Sequence, residues 1–572
     1  MQQNEHRKER YTRRVKLKRQ VSDFLVAWLF FYFVPSPPLY CVSSFNKQYF
    51  DIVKSIDLLG EVYRQVSVNY VDSLNVSKLM YAGIDGMLHF LDPYTVFLDK
   101  DATEELDELT SGQYAGIGIT IAAIDGTIFI TSVVDGYAAA KAGIKTGDSI
   151  TAINSINIDK KSIDEVKELL KGPLGGELSL TIERDGQSTF TVSIIREEIR
   201  VNNVSYSGII GNTGYIKLNS FGIHSLDEMR EAFHGIMRQA TEKHLTLNGV
   251  ILDLRNNPGG LLNAAVDVVS LFVRKGSDVV SVSGRLPEAT KSYVTLTPPI
   301  NVSIPLVVLI NKQSASAAEI VSGAFQDLDR AVIIGEHSYG KGLVQSVISL
   351  SYDNTLKLTT AKYYTPSGRL IQKESGLIRK QRKALSADEP DQISNVFYTK
   401  KKRKVYGGGG ITPDIELFES NDSPYLMELR KKGMLFLFSS SYSASNSVVA
   451  QSLNNQTLMM SFGHFLRDKK FIYLSASEQI MNELKESLST DPTEKIGVKP
   501  KIPDELQKTV KRLKEKEIAK ESECVFQALE VEILRRYDKH LAQMKELNQD
   551  PAVKKAIEVL SDSRQYSLIL HL

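Results

Sequence analysis

Three residues within positions 311–350 have the types and order that hydroxyl-based catalysis needs. Ser316 stands at the mouth of an apolar-periodic segment, Lys341 opens an alternating one, and Gln345 follows four residues later. A serine hydroxyl attacks poorly until a neighbouring base takes its proton, and a neutral lysine amine can be that base. In an extended segment Lys341 and Gln345 would share a face, so the amide could hydrogen-bond the amine and hold it. The amine must also lose its charge. Its reference pKa is about 10.4, and reaching neutrality disfavours the charged form by about 4 kcal/mol. Burial in an apolar cleft can supply that, so the expectation is a dry site with no carboxylate touching Lys341.

The surrounding pattern predicts how these residues are positioned. PLVVLIN, before Ser316, is a continuous apolar run of the kind expected for a strand buried on both faces. Ile320, Val321, Ala324, Phe325 and Leu328 then repeat at helical spacing. Ser316 therefore falls where a strand hands over to a helix, and free N–H groups and the helix dipole favour negative charge there. The N–H of Ala317 could stabilise an oxyanion. AVIIGE and LVQSVISL read as two further strands. On local grounds Ser316 also fits a plain helix N-cap. GEHSYGKG nearly matches a phosphate-binding loop, but Gly342 stands where the hydroxyl should be and a strand follows. His337 is a second candidate base, in a polar turn.

Taken together, NKQSASAAEI and GKGLVQ resemble the paired signatures of the carboxyl-terminal processing peptidases, or tail-specific proteases. A third signature of that family appears as ILDLRNNPGG at 251–260. The resemblance covers about 45–417, and the remainder more loosely. It implies a crotonase-like or ClpP-like α/β serine protease core in a multidomain α/β chain. It implies a dyad of Ser316 and Lys341 assisted by Gln345, and an oxyanion hole in which Gly259 or Gly260 partners Ala317. It also implies cleavage upstream of a free C-terminal tail.

Residues 111–198 alternate strand patterns with glycine turns around one short helical run and resemble a PDZ domain, AGIKTGD being the most specific part. In that fold a loop caps a peptide's terminal carboxylate and the peptide adds to a sheet edge as a strand. The matching loop is Tyr114, Ala115, Gly116, Ile117 and Gly118, with Ile119 and Ile121 along the strand that follows. About half of the isoleucines in such a strand would be plain core.

With 572 residues the chain exceeds one domain. The expected divisions are an N-terminal segment at 1–44, a helical segment at 45–110, the PDZ-like module at 111–198, the protease at 199–418 and a helical region at 419–572. In the second of these LDPYTVFLD is expected to serve packing. The last division is either a cap or assembly surface, or a bundle with its own core. Residues 375–405 are polar and basic without a period, as in a surface insertion. Net charge is +2, which argues for no nucleic-acid partner. Two cysteines give no disulfide framework, and the absence of a His/Cys cluster or H-E-x-x-H gives no metal site. Ser/Lys chemistry needs no cofactor. A basic stretch at 7–19, an apolar run at 24–34 and small residues up to Ser44 have the layout of a secretory signal or a retained anchor. A periplasmic or cell-envelope location follows as an expectation.

The functional expectation is a serine endopeptidase that takes protein or peptide substrates by free, apolar C-terminal tails. A homo-oligomer and N-terminal membrane association stay open. The alternative is a PDZ-bearing scaffold whose protease fold is inactive, and a more distant one is acyl-CoA chemistry on a similar fold.

Overall fold

A computed structural model of the protein describes residues 40–184, 189–373, 396–418, 423–446, 453–489 and 503–572. It divides into two units, Met1–Leu88 and His89–Leu572. The first holds α1 (Tyr40–Asn69) and most of α2 (Val76–His89), joined by a bond from Tyr63 Oη to the Val76 carbonyl at 2.8 Å. Ile52, Val53, Ile56, Leu59 and Val62, the stripe that predicts a helix here, are exposed. The basic and apolar stretches at 7–34 lie outside the described residues. Among the described residues no helix is long and apolar enough to cross a membrane.

The second unit opens with β1 (Val96–Leu98) and α3 (Lys100–Ser111). A strand-rich module follows, with β2 (Gln113–Gly116), β3 (Ile119–Ile124), β4 (Thr127–Val133), α4 (Ala138–Lys141), β5 (Ser149–Ile153), β6 (Ile156–Asn157), α5 (Ile163–Leu170), β7 (Glu177–Glu183), β8 (Phe190–Ile195) and β9 (Glu197–Arg200). Its antiparallel sheet runs β3-β4-β5-β7-β8, with β6 on β5, while β2 and β9 pair separately. Alternation sets its core: Leu178, Leu180 and Ile182 of β7 are buried, and the residues between them are not.

The division expected as a protease continues with β10 (Val204–Ile210), β11 (Thr213–Leu218), α6 (Ser225–Glu242), β12 (Gly249–Asp253), α7 (Leu262–Ser270), β13 (Asp278–Gly284), β14 (Lys291–Val294), β15 (Leu306–Ile310), α8 (Ala317–Asp327), β16 (Val332–Gly335), β17 (Leu343–Ser349), β18 (Thr355–Tyr364), β19 (Val396–Tyr398), β20 (Lys404–Tyr406) and β21 (Ile415–Glu416). One sheet has the order β10-β11-β12-β15-β16-β21, parallel from β11 onward. A second runs β1-β18-β13-β14, with β17 also on β18. Thus LDPYTVFLD, expected with the N-terminal helices, instead sends β1 into the protease. The polar stretch expected as an insertion is only partly described, at 396–405. There it forms the β19–β20 hairpin, held by buried Arg403, which pairs with Asp329 (2.6 Å) and Asp414 (2.5 Å).

Nine helices are described after the protease strands: α9 (Pro424–Lys431), α10 (Met434–Ser445), α11 (Asn455–Asp468), α12 (Ala476–Ser489), α13 (Asp504–Lys520), α14 (Ser522–Tyr537), α15 (Lys539–Gln549), α16 (Pro551–Ser561) and α17 (Ser563–Leu570). The two expectations for this region divide between them. Tyr425, Leu429, Phe438, Phe462, Leu529 and Ile533 form a core of their own. Leu547, Val553, Val559, Leu560 and Leu570 instead pack on Tyr215, Ile251, Val307, Leu309 and Ile334 of the protease sheet. The opposite face of that sheet packs against α6, α7 and α8. Cover on both faces is why β12 and β15 are unbroken apolar runs.

Leu560 is 4% exposed. A Cβ on Gly249 of β12 would lie 2.6 Å from its Cδ2, so strand and helix are in close contact. Leu560→Ala is expected to destabilise the protease core by about 3 kcal/mol, read as a lower urea midpoint with an unchanged slope. An unchanged midpoint would mean that the C-terminal helices are peripheral to the core.

Candidate active site

β15 is buried along its whole length and delivers the chain into a turn at 311–316. Two reciprocal bonds tie this turn to the one after β12. Asn311 Nδ2 donates to Asn256 Oδ1 and Asn256 N–H to Asn311 Oδ1, both at 2.9 Å. Ser314 Oγ donates to the Leu254 carbonyl (2.8 Å), and Ala315 N–H to that of Asn257 (2.9 Å). Ser316 then sits half-buried at the N-cap of α8 with φ 53° and ψ −113°. This is a sparsely populated conformation for a residue with a side chain, and an ordinary N-cap is extended. The α8 that follows is buried at every position.

The glycine turn lies directly against this serine. Gly259 has φ 103°, and a Cβ there would fall 2.8 Å from Ser316 Cβ and 2.9 Å from Ala317 N. Gly260 has φ 141°, and a Cβ there would fall 2.3 Å from the Phe221 carbonyl oxygen. Only glycine permits either the dihedral or the approach. The structure also separates the two glycines. Gly259 N–H is committed to Asn257 Oδ1 (2.8 Å). Among the described residues no hydrogen bond takes up the N–H of Gly260 or Ala317.

Lys341 lies half-buried just before β17. Burial first, then the charge of Lys357, bring its amine down to about 8, against the opposing pull of Glu319 and Asp92. It makes no ion pair among the described residues. Its Nζ rests 4.8 Å from the ring centroid of Tyr94. Gln345 does not hold it as expected: its Nε2 donates to Thr359 Oγ1 at 3.2 Å. Lys341 precedes the strand, and the β17–β18 register shifts between Val344 and Gln345, so the shared face assumed for a regular extended segment is lost.

A carboxylate does touch Lys341, through the backbone. Glu319, in the first turn of α8 and fully buried, receives four donors. Its Oε1 accepts Ser338 Oγ–H (2.5 Å) and Gly340 N–H (2.7 Å), and its Oε2 accepts the N–H groups of Ser316 and Lys341, both at 2.9 Å. Burial pushes its pKa up to about 7, against the four donors that favour the anion. The glycine-lysine loop that mimics a phosphate cradle thus wraps a glutamate. A second bridge runs through Tyr363, whose buried hydroxyl donates to the carbonyls of both Ser316 and Lys341. Glu319 was readable only as the last position of a capping box. His337, the other base considered, is 52% exposed and faces Glu416 (3.3 Å).

At the far end of α8, Asp327 pairs with buried Arg369 (2.8 Å) and accepts from Thr365 Oγ1 and Ser367 N–H. At the other end of the glycine turn, Arg255 lies between Asp253 (2.6 Å) and Asp550 (2.7 Å). Burial opposes ionisation of Asp253, but Arg255 and Lys217 hold it well below the usual carboxylate range.

In the strand-rich module, Tyr114, Ala115 and Gly116 form a strand rather than a loop, paired with Ile199, Glu198 and Glu197. Ile117 is buried in the core, and its carbonyl receives Ala139 N–H (3.0 Å). Gly118 turns the chain at φ 78°. Ile119 and Ile121 are half-buried on β3, which among the described residues pairs only with β4. A backbone edge is therefore available beside them.

Residues 212–379 match peptidase family S41, residues 129–184 match a PDZ domain, and residues 425–560 match the C-terminal helical domain of a probable PDZ-protease. The chain is 37% identical to a carboxy-terminal-processing protease of Bartonella bacilliformis, over 58% of this chain and 75% of that one. It is 33% identical to the carboxy-terminal processing protease CtpA of Bacillus subtilis, over 61% and 76%. Among solved structures, a photosystem II D1 C-terminal processing protease is 26% identical over 63% of this chain and 92% of that one, with a TM-score of 0.33.

Glu319→Gln is the sharpest test of the buried junction. In either orientation the amide sets an NH₂ against two donors, so a loss of about 3 kcal/mol is expected in denaturant unfolding. The native pKa of about 7 lies above the ordinary glutamate value of 4.5, so the folded state holds this proton more tightly between them. The contribution of Glu319 to stability therefore falls as pH rises through that window. The Gln variant is expected to lack that slope, and an identical slope in both proteins would contradict the assignment.

Proposed function

Because the chain belongs to the carboxy-terminal processing protease family, and is a serine-type peptidase, we propose that Ser316 is its nucleophile and Lys341 its general base. One observation carries this reading. A serine in a strained conformation at the start of a buried helix is bridged, through a single carboxylate oxygen, to the backbone of a lysine whose amine is largely desolvated.

The chemistry follows from the geometry. Lys341 Nζ takes the Ser316 proton as Oγ attacks the scissile carbonyl carbon. The oxyanion is received by the N–H groups of Ala317 and Gly260. Collapse of the tetrahedral adduct breaks the C–N bond, and Lys341 returns the proton to the leaving amine. Water then gives its proton to Lys341 and attacks the acyl-enzyme, releasing the new C-terminal carboxylate and the free serine. Substrates are proteins with a free, apolar C-terminal tail, which adds as a strand to the open edge of β3 beside Ile119 and Ile121. The basic-then-apolar order of residues 7–44 supports work in the cell envelope.

Ser316→Ala and Lys341→Ala are each expected to lower kcat by at least ~10⁴-fold while tail binding survives. Turnover retained in both sinks the dyad. The base must be neutral, so kcat should rise with pH and reach half its maximum near 8, the value to which burial brings Lys341. Tail recognition is read by pairing one unstructured substrate with a version whose last residues are acidic. Equal cleavage of the two would remove the module from substrate selection.

A further inference from the structure

The segment LDPYTVFLD does more than pack. Asp92 opens a tight turn whose second position is Pro93, a residue suited to that place. Its Oδ1 accepts the N–H groups of Tyr94 (2.8 Å) and Thr95 (2.9 Å), and its Oδ2 accepts Thr95 Oγ1–H (3.0 Å). This turn is fastened to β18. Thr359 N–H donates to Thr95 Oγ1 (3.1 Å) and Thr359 Oγ1–H to Asp92 Oδ1 (3.2 Å), and β1 then pairs with β18 from Val96↔Lys357 onward. Gln345 donates to the same Thr359 hydroxyl. The amide expected on the lysine therefore ends on Thr359 of β18, which in turn donates to Asp92 of the turn that carries Tyr94, and the ring of Tyr94 lies on the lysine amine.

We propose that Tyr94, braced by Asp92 and Thr95, is a positioning residue for catalysis: its ring walls the Lys341 amine off from water and fixes it beside Ser316. The proposal rests on Lys341 being the base. The charges that act on the amine come from each element around it: Asp92 from this turn, Glu319 from α8 and Lys357 from β18, with the ring of Tyr94 on Nζ and Tyr339 beside Tyr94. Burial, and the neighbouring Tyr339, push the Tyr94 hydroxyl up to about 12, so it stays neutral in the working range. The ring has two opposite effects. By excluding water it favours the neutral amine, and through the negative charge of its face it favours the ammonium. Burial is the largest influence on the Lys341 amine and lowers it, so the expectation is that exclusion of water outweighs the attraction of the ring face.

The two effects separate by substitution, read as the pH dependence of kcat with an unstructured protein substrate ending in an apolar tail. Tyr94→Phe keeps both and is expected to leave the acidic limb in place. Tyr94→Leu keeps the dry wall but loses the ring's charge, so the limb should move to lower pH by about one pH unit. Tyr94→Ala admits water, so the limb should move up toward ordinary lysine, with kcat at pH 8 falling at least ~10-fold and KM unchanged. A folded Ala variant whose limb does not move overturns the proposal. Should the Ala variant fail to fold, Tyr94→Gln keeps much of the volume but sets a polar group on the amine, and a limb there no higher than in the Phe variant overturns the proposal. Turnover surviving in Lys341→Ala removes the base itself and this role with it. An inactive Lys341→Ala beside an unmoved limb in Tyr94→Ala removes the role of Tyr94 alone.

Discussion

A carboxylate buried away from water is costly unless its oxygens are satisfied by donors. Glu319 meets that condition with the N–H groups of Ser316, Gly340 and Lys341 and the hydroxyl of Ser338. Satisfying it therefore forces the loop before β17 against the first turn of α8. The approach of Ser316 to the backbone of Lys341 is thus a by-product of solving a desolvation problem. The same requirement accounts for the tightness around it: Gly410, at φ 83°, lets the chain pass within contact of Ser338, and Tyr363 is buried so that its hydroxyl can reach both backbones.

The other half of the site is held from the opposite face of the sheet. The turn with Gly259 and Gly260 leaves β12 directly after Asp253 and Arg255. Arg255 is clamped by Asp253 on one side and by Asp550, the N-cap of α16, on the other. Tyr215 and Lys217 complete the contacts of Asp253 at 2.7 and 3.1 Å. The last helices of the chain therefore supply the second apolar layer of the protease sheet and also brace the root of its glycine turn. They belong to the catalytic body in a physical sense, whereas the helices from Tyr425 to Ile533 have a core of their own.

Two sheets converge on the lysine. β15 and α8 present the serine from the parallel sheet, while the turn before β1 lays Tyr94 on the amine and β18 of the second sheet brings the charge of Lys357 to it. Lys357, facing Val96 across the β1–β18 pair, adds a like charge that helps to keep the amine neutral. A site spread over two sheets in this way depends on their packing, and a change in either sheet would reach Ser316 and Lys341.

The placement of Ser316, Lys341, Ala317 and the glycine turn at junctions of strand, turn and helix was legible because the pattern around each is local, and periodicity is a local property of the chain. The parallel sheet and the strand-rich module were legible for the same reason. The residues that complete the site were not. Glu319 reads as an ordinary capping glutamate until the loop at 338–341 closes over it. Tyr94 reads as part of a packing motif until β1 pairs with a strand 261 residues further along, Val96 facing Lys357. Gln345 was assigned to the wrong partner, because a register shift between two strands cannot be seen within one of them. The sequence by itself determined which groups could do chemistry and which elements carry them, since side-chain type and hydrophobic period are written residue by residue. Only the tertiary structure decided how far burial lowers the lysine amine and, among the described residues, which glycine N–H is left without an acceptor, because desolvation and hydrogen-bond competition depend on neighbours that are distant in the chain.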